Sequence, residues 1–224
     1  MSKGTGAVEA RDLCKSFGEV EVLRGANLSV REGASLAITG PSGSGKSTLL
    51  HLLGTLDAPT SGTVTIDGVV PDSLGEVELA RFRNHNIGFV FQAHHLLPQY
   101  SLLDNVLVPT LPYGGNGRDA QERARSLLDR VELGHRLDHR PSEMSGGECQ
   151  RAAVARALIN QPSVLLCDEP TGNLDREAAA AVTSLLFELH SDRPSILIIV
   201  THSAELAARC QRRADLVNGV CSEA

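Results

Sequence analysis

The chain has 224 residues and a formal net charge of −6. That length supports one sizeable hydrophobic core, and the acidic balance argues against a surface built to neutralise nucleic-acid phosphates, so nucleic acid is not an expected partner. The five cysteines, Cys14, Cys149, Cys167, Cys210 and Cys221, form no C-x-x-C pair and no even framework, which favours a reducing compartment over a disulfide scaffold or a cysteine-built metal site. Met1 to Arg11 has no apolar stretch of signal-peptide length, and the strongest apolar run, Ile196 to Val200, is only strand-sized. Membrane contact is therefore expected only through a partner protein, and Cys221 at the C-terminus lacks the aliphatic pair of a prenylation box.

In chain order, Val8 to Phe17 and Ala26 to Val30 read as strands, followed by a continuous apolar strand at Ser35 to Thr39. Ser47 to Leu53 reads as a helix stopped at Gly54. Val64 and Ile66 alternate with Thr63, Thr65 and Asp67 before a turn at Gly68, which completes a small antiparallel sheet with the first two strands. A strand over Ile87 to Phe91 precedes a region, residues 93–161, that is helical in character. There Ala124, Leu127, Leu128 and Val131 form one apolar stripe, and the Pro109 to Gly117 stretch reads as a loop. The strand pattern returns at Val164 to Cys167 and Ile196 to Val200, separated by a helix with Val182, Leu185, Leu186 and Leu189 on one face. This alternation is α/β.

Three motifs carry chemistry. Gly40-Pro41-Ser42-Gly43-Ser44-Gly45-Lys46-Ser47 matches G-x-x-x-x-G-K-[ST] between a strand and a helix, with Thr48 following. Glycines let the backbone close on phosphate oxygens, Lys46 is placed to bridge the β- and γ-phosphates, and Ser47 offers a hydroxyl to Mg²⁺. Asp168 and Glu169 end a strand at the carboxyl edge of the sheet, where open α/β folds hold ligands. In Met144-Ser145-Gly146-Gly147-Glu148, the Ser/Gly turn is expected to open a helix at about Glu148, where free N–H groups and the helix dipole favour an anion.

The pentad resembles the Leu-Ser-Gly-Gly-Gln signature of ABC transporter ATPases and lies, as in that family, between a phosphate loop and an acidic strand end. The resemblance runs from Phe17 to His202. It implies a P-loop NTPase (RecA-like) core, residues 1–92 and 162–224, with a small antiparallel β subdomain and an inserted α-helical subdomain at 93–161, together one ABC ATPase domain. It implies ATP and Mg²⁺ as ligands. Asp168 is implied as a Mg²⁺ residue through water, Glu169 as general base, Gln92 as a ligand to Mg²⁺ or the attacking water, and His202 as the γ-phosphate contact that orients the Glu169 side. Phe17 takes the place of an adenine-stacking aromatic, usually Tyr in the family; core packing is the competing reading. Glu148 and Met144 replace the usual Gln and Leu.

The same resemblance implies a head-to-tail homodimer in which Ser145, Gly146, Gly147, Glu148 and Asp175 serve the nucleotide of the other subunit. Arg83 to Gln92, Thr171 to Asp175 and the His94-His95-Leu96-Leu97-Pro98 run are similar to the branch of lipoprotein-releasing, macrolide-exporting and FtsE-like ATPases. Lipoprotein release is the first reading, with a drug or peptide exporter and an ATP-switched regulator as alternatives. Integral membrane permease subunits (LolC/LolE-like) are the implied partners, and the cytoplasmic face of the inner membrane the implied peripheral location. Leu96, Leu97 and Tyr100 are either docking residues for those permeases or packing of the helical lobe.

Overall fold

A computed structural model of the protein describes residues 7–113 and 117–223; residues 1–6 of the Met1 to Arg11 segment and 114–116 of the Pro109 to Gly117 loop reading lie outside them. In chain order the elements are β1 (Ala7–Phe17), β2 (Val20–Arg31), β3 (Ser35–Thr39), α1 (Lys46–Leu53), β4 (Ser61–Ile66), α2 (Glu76–Asn86) and β5 (Ile87–Val90). They continue as α3 (Leu102–Leu107), α4 (Arg118–Arg130), α5 (Gly146–Leu158), β6 (Val164–Asp168), α6 (Arg176–Ser191), β7 (Ile196–Val200), α7 (Ala204–Arg209), β8 (Arg212–Val217) and β9 (Val220–Glu223).

Among the described residues the strands form two sheets. One is antiparallel in the order β2-β1-β4, and the other runs β5-β6-β7-β3-β8-β9. Every step from β5 to β8 is parallel, and β9 turns back antiparallel on β8. All five residues of β3 and of β7 are buried, which is why these strands read as unbroken apolar runs: a parallel strand covered on both faces has no solvent side to alternate with. The bond from Arg24 N to Gly219 O, 2.9 Å, joins the two sheets.

Two apolar clusters lie on opposite faces of the parallel sheet. The first packs β1, β2, β4 and α1 against Leu36, Ile38, Leu166, Ile198 and Val200. The second packs α3, α4, α5 and α6 against Leu165, Cys167, Leu197 and Ile199. Alternate residues of β6 and β7 thus point to different clusters, as the period of two requires. The helices of 93–161 share their core with α6 and the sheet, so truncating Leu128 or Leu133, both fully buried, would leave a cavity costing about 2–5 kcal/mol.

Several local expectations need correction. The signature helix opens at Gly146, two residues before Glu148, because Ser145 in extended conformation is its N-cap. Val108–Tyr113 is a 3-10 helix where a loop was expected; Asn84 and Asn160 both donate to Pro109 O and hold it down. The second strand starts at Val20, six residues ahead of Ala26, since the hairpin pairs Phe17 with Val20. The strand before Gln92 ends at Val90.

Candidate active site

The phosphate loop owes its shape to three glycines in left-handed or related conformations, Gly40 (φ 151°), Gly43 (φ 77°) and Gly45 (φ 98°). At Gly40 no other residue fits: a Cβ would stand 2.2 Å from Leu216 O. Gly45 is the N-cap of α1, so the first-turn amides of Lys46, Ser47 and Thr48, which have no acceptor within their own helix, face the loop. Lys46 Nζ folds back onto Gly40 O at 3.0 Å and Pro41 O at 2.9 Å. An ammonium held only by two neutral carbonyls is free to exchange them for an anion at little loss.

Around the loop lies a cleft of about 550 Å³ lined by Val22, Ser42, Gly43, Gly45, Lys46, Ser47, Thr48, Gln92, Glu169, Val200 and His202. Ser47 Oγ donates to Asp168 Oδ1 at 3.2 Å. Burial is the largest influence on Asp168 and pushes its carboxyl above the usual carboxylate range; neighbouring Glu169 adds to this, while the Ser47 bond, His51 and Lys46 pull it down. A hydroxyl and a carboxylate in contact at the edge of a phosphate cradle are the hard oxygen donors that suit Mg²⁺. Ser44 Oγ is buried in the same loop without a hydrogen-bond partner, which fits a site built to receive a polar ligand. The donor set therefore fits a nucleotide with its divalent cation.

Glu169 sits just past β6 with φ 45°, a strained value for a residue with a side chain. Its amide donates to Val200 O at 2.9 Å and its carbonyl accepts from Gly172 N at 3.0 Å, which hold that conformation. The carboxylate is met by His202 twice: Nδ1 lies 2.9 Å from Oε1 and the backbone amide donates to Oε2 at 3.2 Å. One edge of the imidazole is thus committed to Glu169, while the ring remains largely exposed on the cleft side.

Gln92 reaches the same cleft from the end of β5. Its Nε2 donates to Asn173 Oδ1 at 3.0 Å and its backbone carbonyl accepts from Asn173 Nδ2 at 3.2 Å. Gly172 makes room for it, since a Cβ there would touch the amide at 2.9 Å. Backbone on either side of Gln92 is strapped to α5: Gln150 Nε2 donates to Phe91 O at 2.8 Å, and Arg156 donates to His94 O and His95 O at 2.7 Å each.

The signature residues lie elsewhere on the surface. Ser145 Oγ accepts from Glu148 N at 3.2 Å while Glu148 Oε2 accepts from Ser145 N at 2.8 Å, a reciprocal capping box. The Ser145 amide is the largest influence holding the Glu148 carboxyl below its usual range, with smaller help from the Ser145 hydroxyl, Arg136 and Arg151 against the opposing effect of burial. Ser145 and Gly146 are exposed, whereas Gly147 is buried and a Cβ on it would come 2.9 Å from Ala178 Cβ. Gly147 serves the close approach of α5 to α6, leaving Ser145 and the Gly146 amide to face outward. Asp175, also exposed, caps α6 by accepting from Ala178 N at 2.9 Å.

Lys46, Ser47, Gln92, Glu169 and His202 therefore share one cleft with Asp168 bonded to its edge, while Ser145, Gly146 and Asp175 stand outside the residues lining it. Phe17 is 53% exposed, which removes the core-packing reading. It closes the hairpin opposite Val20, and Val20 lines a recess with Pro41, Ser42, Gly43 and Ser44. Leu96 is buried in the second cluster, so it packs the lobe; Leu97 and Tyr100 are exposed. Asn173, Gln150 and Arg156 were not singled out from the sequence. Asn173 lay inside the Thr171 to Asp175 run, but only the fold shows that it faces Gln92.

The ABC transporter family profile matches residues 23–172. The chain is 51% identical over 216 residues to the lipoprotein-releasing system ATP-binding protein LolD of Geobacter metallireducens, covering 95% of this chain and 96% of that protein. It is 46% identical to LolD of Bacteroides thetaiotaomicron over 95% of this chain and 97% of the other. Among solved structures it resembles a dimeric ATP-binding cassette in a post-hydrolysis state bound to ADP and phosphate, with a TM-score of 0.88, 37% identity and 97% of each chain covered.

Proposed function

This chain belongs to the ABC transporter family as an ATP-hydrolysing cassette of the LolD type, and from that premise we propose that it powers a lipoprotein-releasing system at the inner membrane. The observation that carries the reading is the extent of similarity: about half of all residues match LolD relatives from distant bacteria along nearly the entire chain. Residues 93–161 act as the helical subdomain of a single ABC domain.

In this proposal the loop amides and Lys46 bind the β- and γ-phosphates. Ser47, Gln92 and Asp168 would hold Mg²⁺, which would neutralise charge on those phosphate oxygens. Glu169 accepts the proton of the attacking water as the water oxygen bonds to the γ-phosphorus; the bond from that phosphorus to the β–γ bridging oxygen breaks, and ADP and phosphate result. His202 holds the Glu169 carboxylate in position and turns its free edge to the γ-phosphate. Ser145 and the Gly146 amide of a second copy close over that phosphate, with Gly147, Glu148 and Asp175 shaping the same surface. Closure is favoured while the γ-phosphate supplies the anion and relaxes once it is gone.

The cassette sits on the cytoplasmic face of the inner membrane, held peripherally by LolC/LolE-like permease subunits. A groove of about 460 Å³ lined by Arg83, Phe89, Phe91, His95, Val108, Ile159 and Asn160 among others offers those subunits a seat next to Gln92 in the chain, and Leu97 and Tyr100 are exposed. No helix among the described residues is long and apolar enough to cross a membrane.

Co-purification from detergent-solubilised membranes, followed by reconstitution of the recovered complex with a labelled acylated lipoprotein, tests the reading. ATP-dependent release of the lipoprotein from the vesicles is the expected result. Recovery of ribosomes or DNA, or a complex that hydrolyses ATP without releasing lipoprotein, would overturn it.

A further inference from the structure

Strand β1 has a period of two, so Lys15 and Phe17 project from the same face. Lysine is among the residues least often buried, yet the Lys15 side chain is only 11% exposed. Its ammonium donates to Asp57 Oδ1 at 2.7 Å and to Ala58 O at 2.8 Å, and it lies 4.8 Å from the centroid of the Phe17 ring. The segment that supplies those acceptors is itself fastened along β1: Thr60 N donates to Cys14 O at 2.9 Å and Ser16 N to Thr60 Oγ1 at 3.0 Å. That segment follows directly on α1, the helix whose N-terminus faces the phosphate loop, so the cation ties the ring to the element that binds phosphate.

The negative face of an aromatic ring attracts a cation, and a cation on one face leaves the other for a flat partner. Phe17 is half-exposed and stands opposite Val20, which lines the recess beside Pro41 to Ser44. The recess thus joins the loop to the end of the hairpin that carries the ring. We propose that Lys15 is a positioning residue for nucleotide binding: its ammonium, anchored by Asp57 and Ala58, holds the Phe17 ring as a platform for the purine base. The proposal rests on the reading that Phe17 stacks on that base. Lys15 acts through the ring and touches no phosphate, and a stacking contact has no hydrogen-bond code, so ATP and GTP are served alike.

Hydrolysis of ATP and GTP and binding of inorganic tripolyphosphate are measured for the full chain and for Lys15→Met, Lys15→Arg, Phe17→Ala and the Lys15→Met/Phe17→Ala pair. Lys15→Met is expected to raise KM for both nucleotides by about two- to fivefold, with kcat and tripolyphosphate affinity unchanged, and Lys15→Arg to restore KM. In the Phe17→Ala background the Lys15 substitution has no further effect. If Phe17→Ala leaves KM unchanged, the stacking reading and this proposal both fail. If Phe17→Ala raises KM but Lys15→Met does not, or if the Lys15 effect persists without the ring or extends to tripolyphosphate, the role of Lys15 alone is overturned.

Discussion

The phosphate loop and the signature turn are both Ser/Gly segments that open a helix, yet their hydrogen bonding differs. At the phosphate loop Lys46 rests on two backbone carbonyls and Ser44 Oγ has no partner, so polar capacity is held ready inside one chain. At the signature turn Ser145 and Glu148 cap each other and Gly147 is packed beneath Ala178, so the turn is complete by itself. A loop that awaits a ligand binds it in place. A turn already satisfied gains from an anion only through what remains outward, the Ser145 hydroxyl and the Gly146 amide, and in the proposed dimer those face another copy's nucleotide.

The largest expected effect breaks the first half of that contrast. Charge-assisted hydrogen bonds are worth about 1.5–3 kcal/mol, so Lys46→Ala is expected to weaken ATP binding by roughly 10- to 100-fold in calorimetry. Thermal stability should hardly change, because the ammonium supports only two carbonyls. Unaltered ATP affinity would contradict the role given to Lys46.

The two signature glycines separate packing from recognition. Gly147→Ala forces a Cβ to 2.9 Å from Ala178 Cβ and is expected to destabilise the fold by about 1–3 kcal/mol in denaturant unfolding. At Gly146 the nearest neighbour of a Cβ is Leu174 Cδ2 at 3.7 Å, an ordinary contact. Gly146→Ala should therefore keep stability and weaken only ATP-driven association. Equal unfolding midpoints for the two variants would erase the distinction.

The smallest effect concerns the capping box. The folded state holds the Glu148 carboxyl below its usual range, so the unfolded chain protonates first as pH falls. The stabilisation from this group is present above the ordinary glutamate pKa and is lost as pH falls through the lowered folded value. Loss of a cap costs about 0.5–2 kcal/mol, so Glu148→Ala should lower stability at neutral pH and lose that deficit in acid. A deficit that stays constant with pH would show that the carboxylate does not support the cap.

Legibility in the sequence followed the strength of local constraint. Ser35 to Thr39 and Ile196 to Val200 were found to the residue because a strand buried on both faces is an uninterrupted apolar run. The phosphate loop was equally plain, since few backbones need glycines at those spacings ahead of a lysine. The start of β2 was hidden because Val20 to Gly25 includes polar and charged residues on a partly exposed hairpin. The helix starts at Gly146, two residues ahead of the expected Glu148, because Ser145 is its N-cap and the two glycines of the expected turn form its first residues. Leu96, read as possible docking surface, is covered by tertiary packing that its neighbours in sequence do not announce. Asn173, Gln150 and Arg156 support the Gln92 segment across 81, 59 and about 60 residues of chain, a relation that only the fold creates.

The most direct test of the shared site is the mass in solution of Glu169→Gln with ATP and Mg²⁺, measured by light scattering, alone and combined with Ser145→Arg. Glu169→Gln keeps the size of the side chain and one acceptor for the His202 amide and removes the base, so ATP should persist and hold two chains together, and Ser145→Arg should return the protein to monomer with ATP still bound. A Glu169→Gln protein that binds ATP without hydrolysing it yet remains monomeric, or a dimer indifferent to Ser145→Arg, would contradict the account.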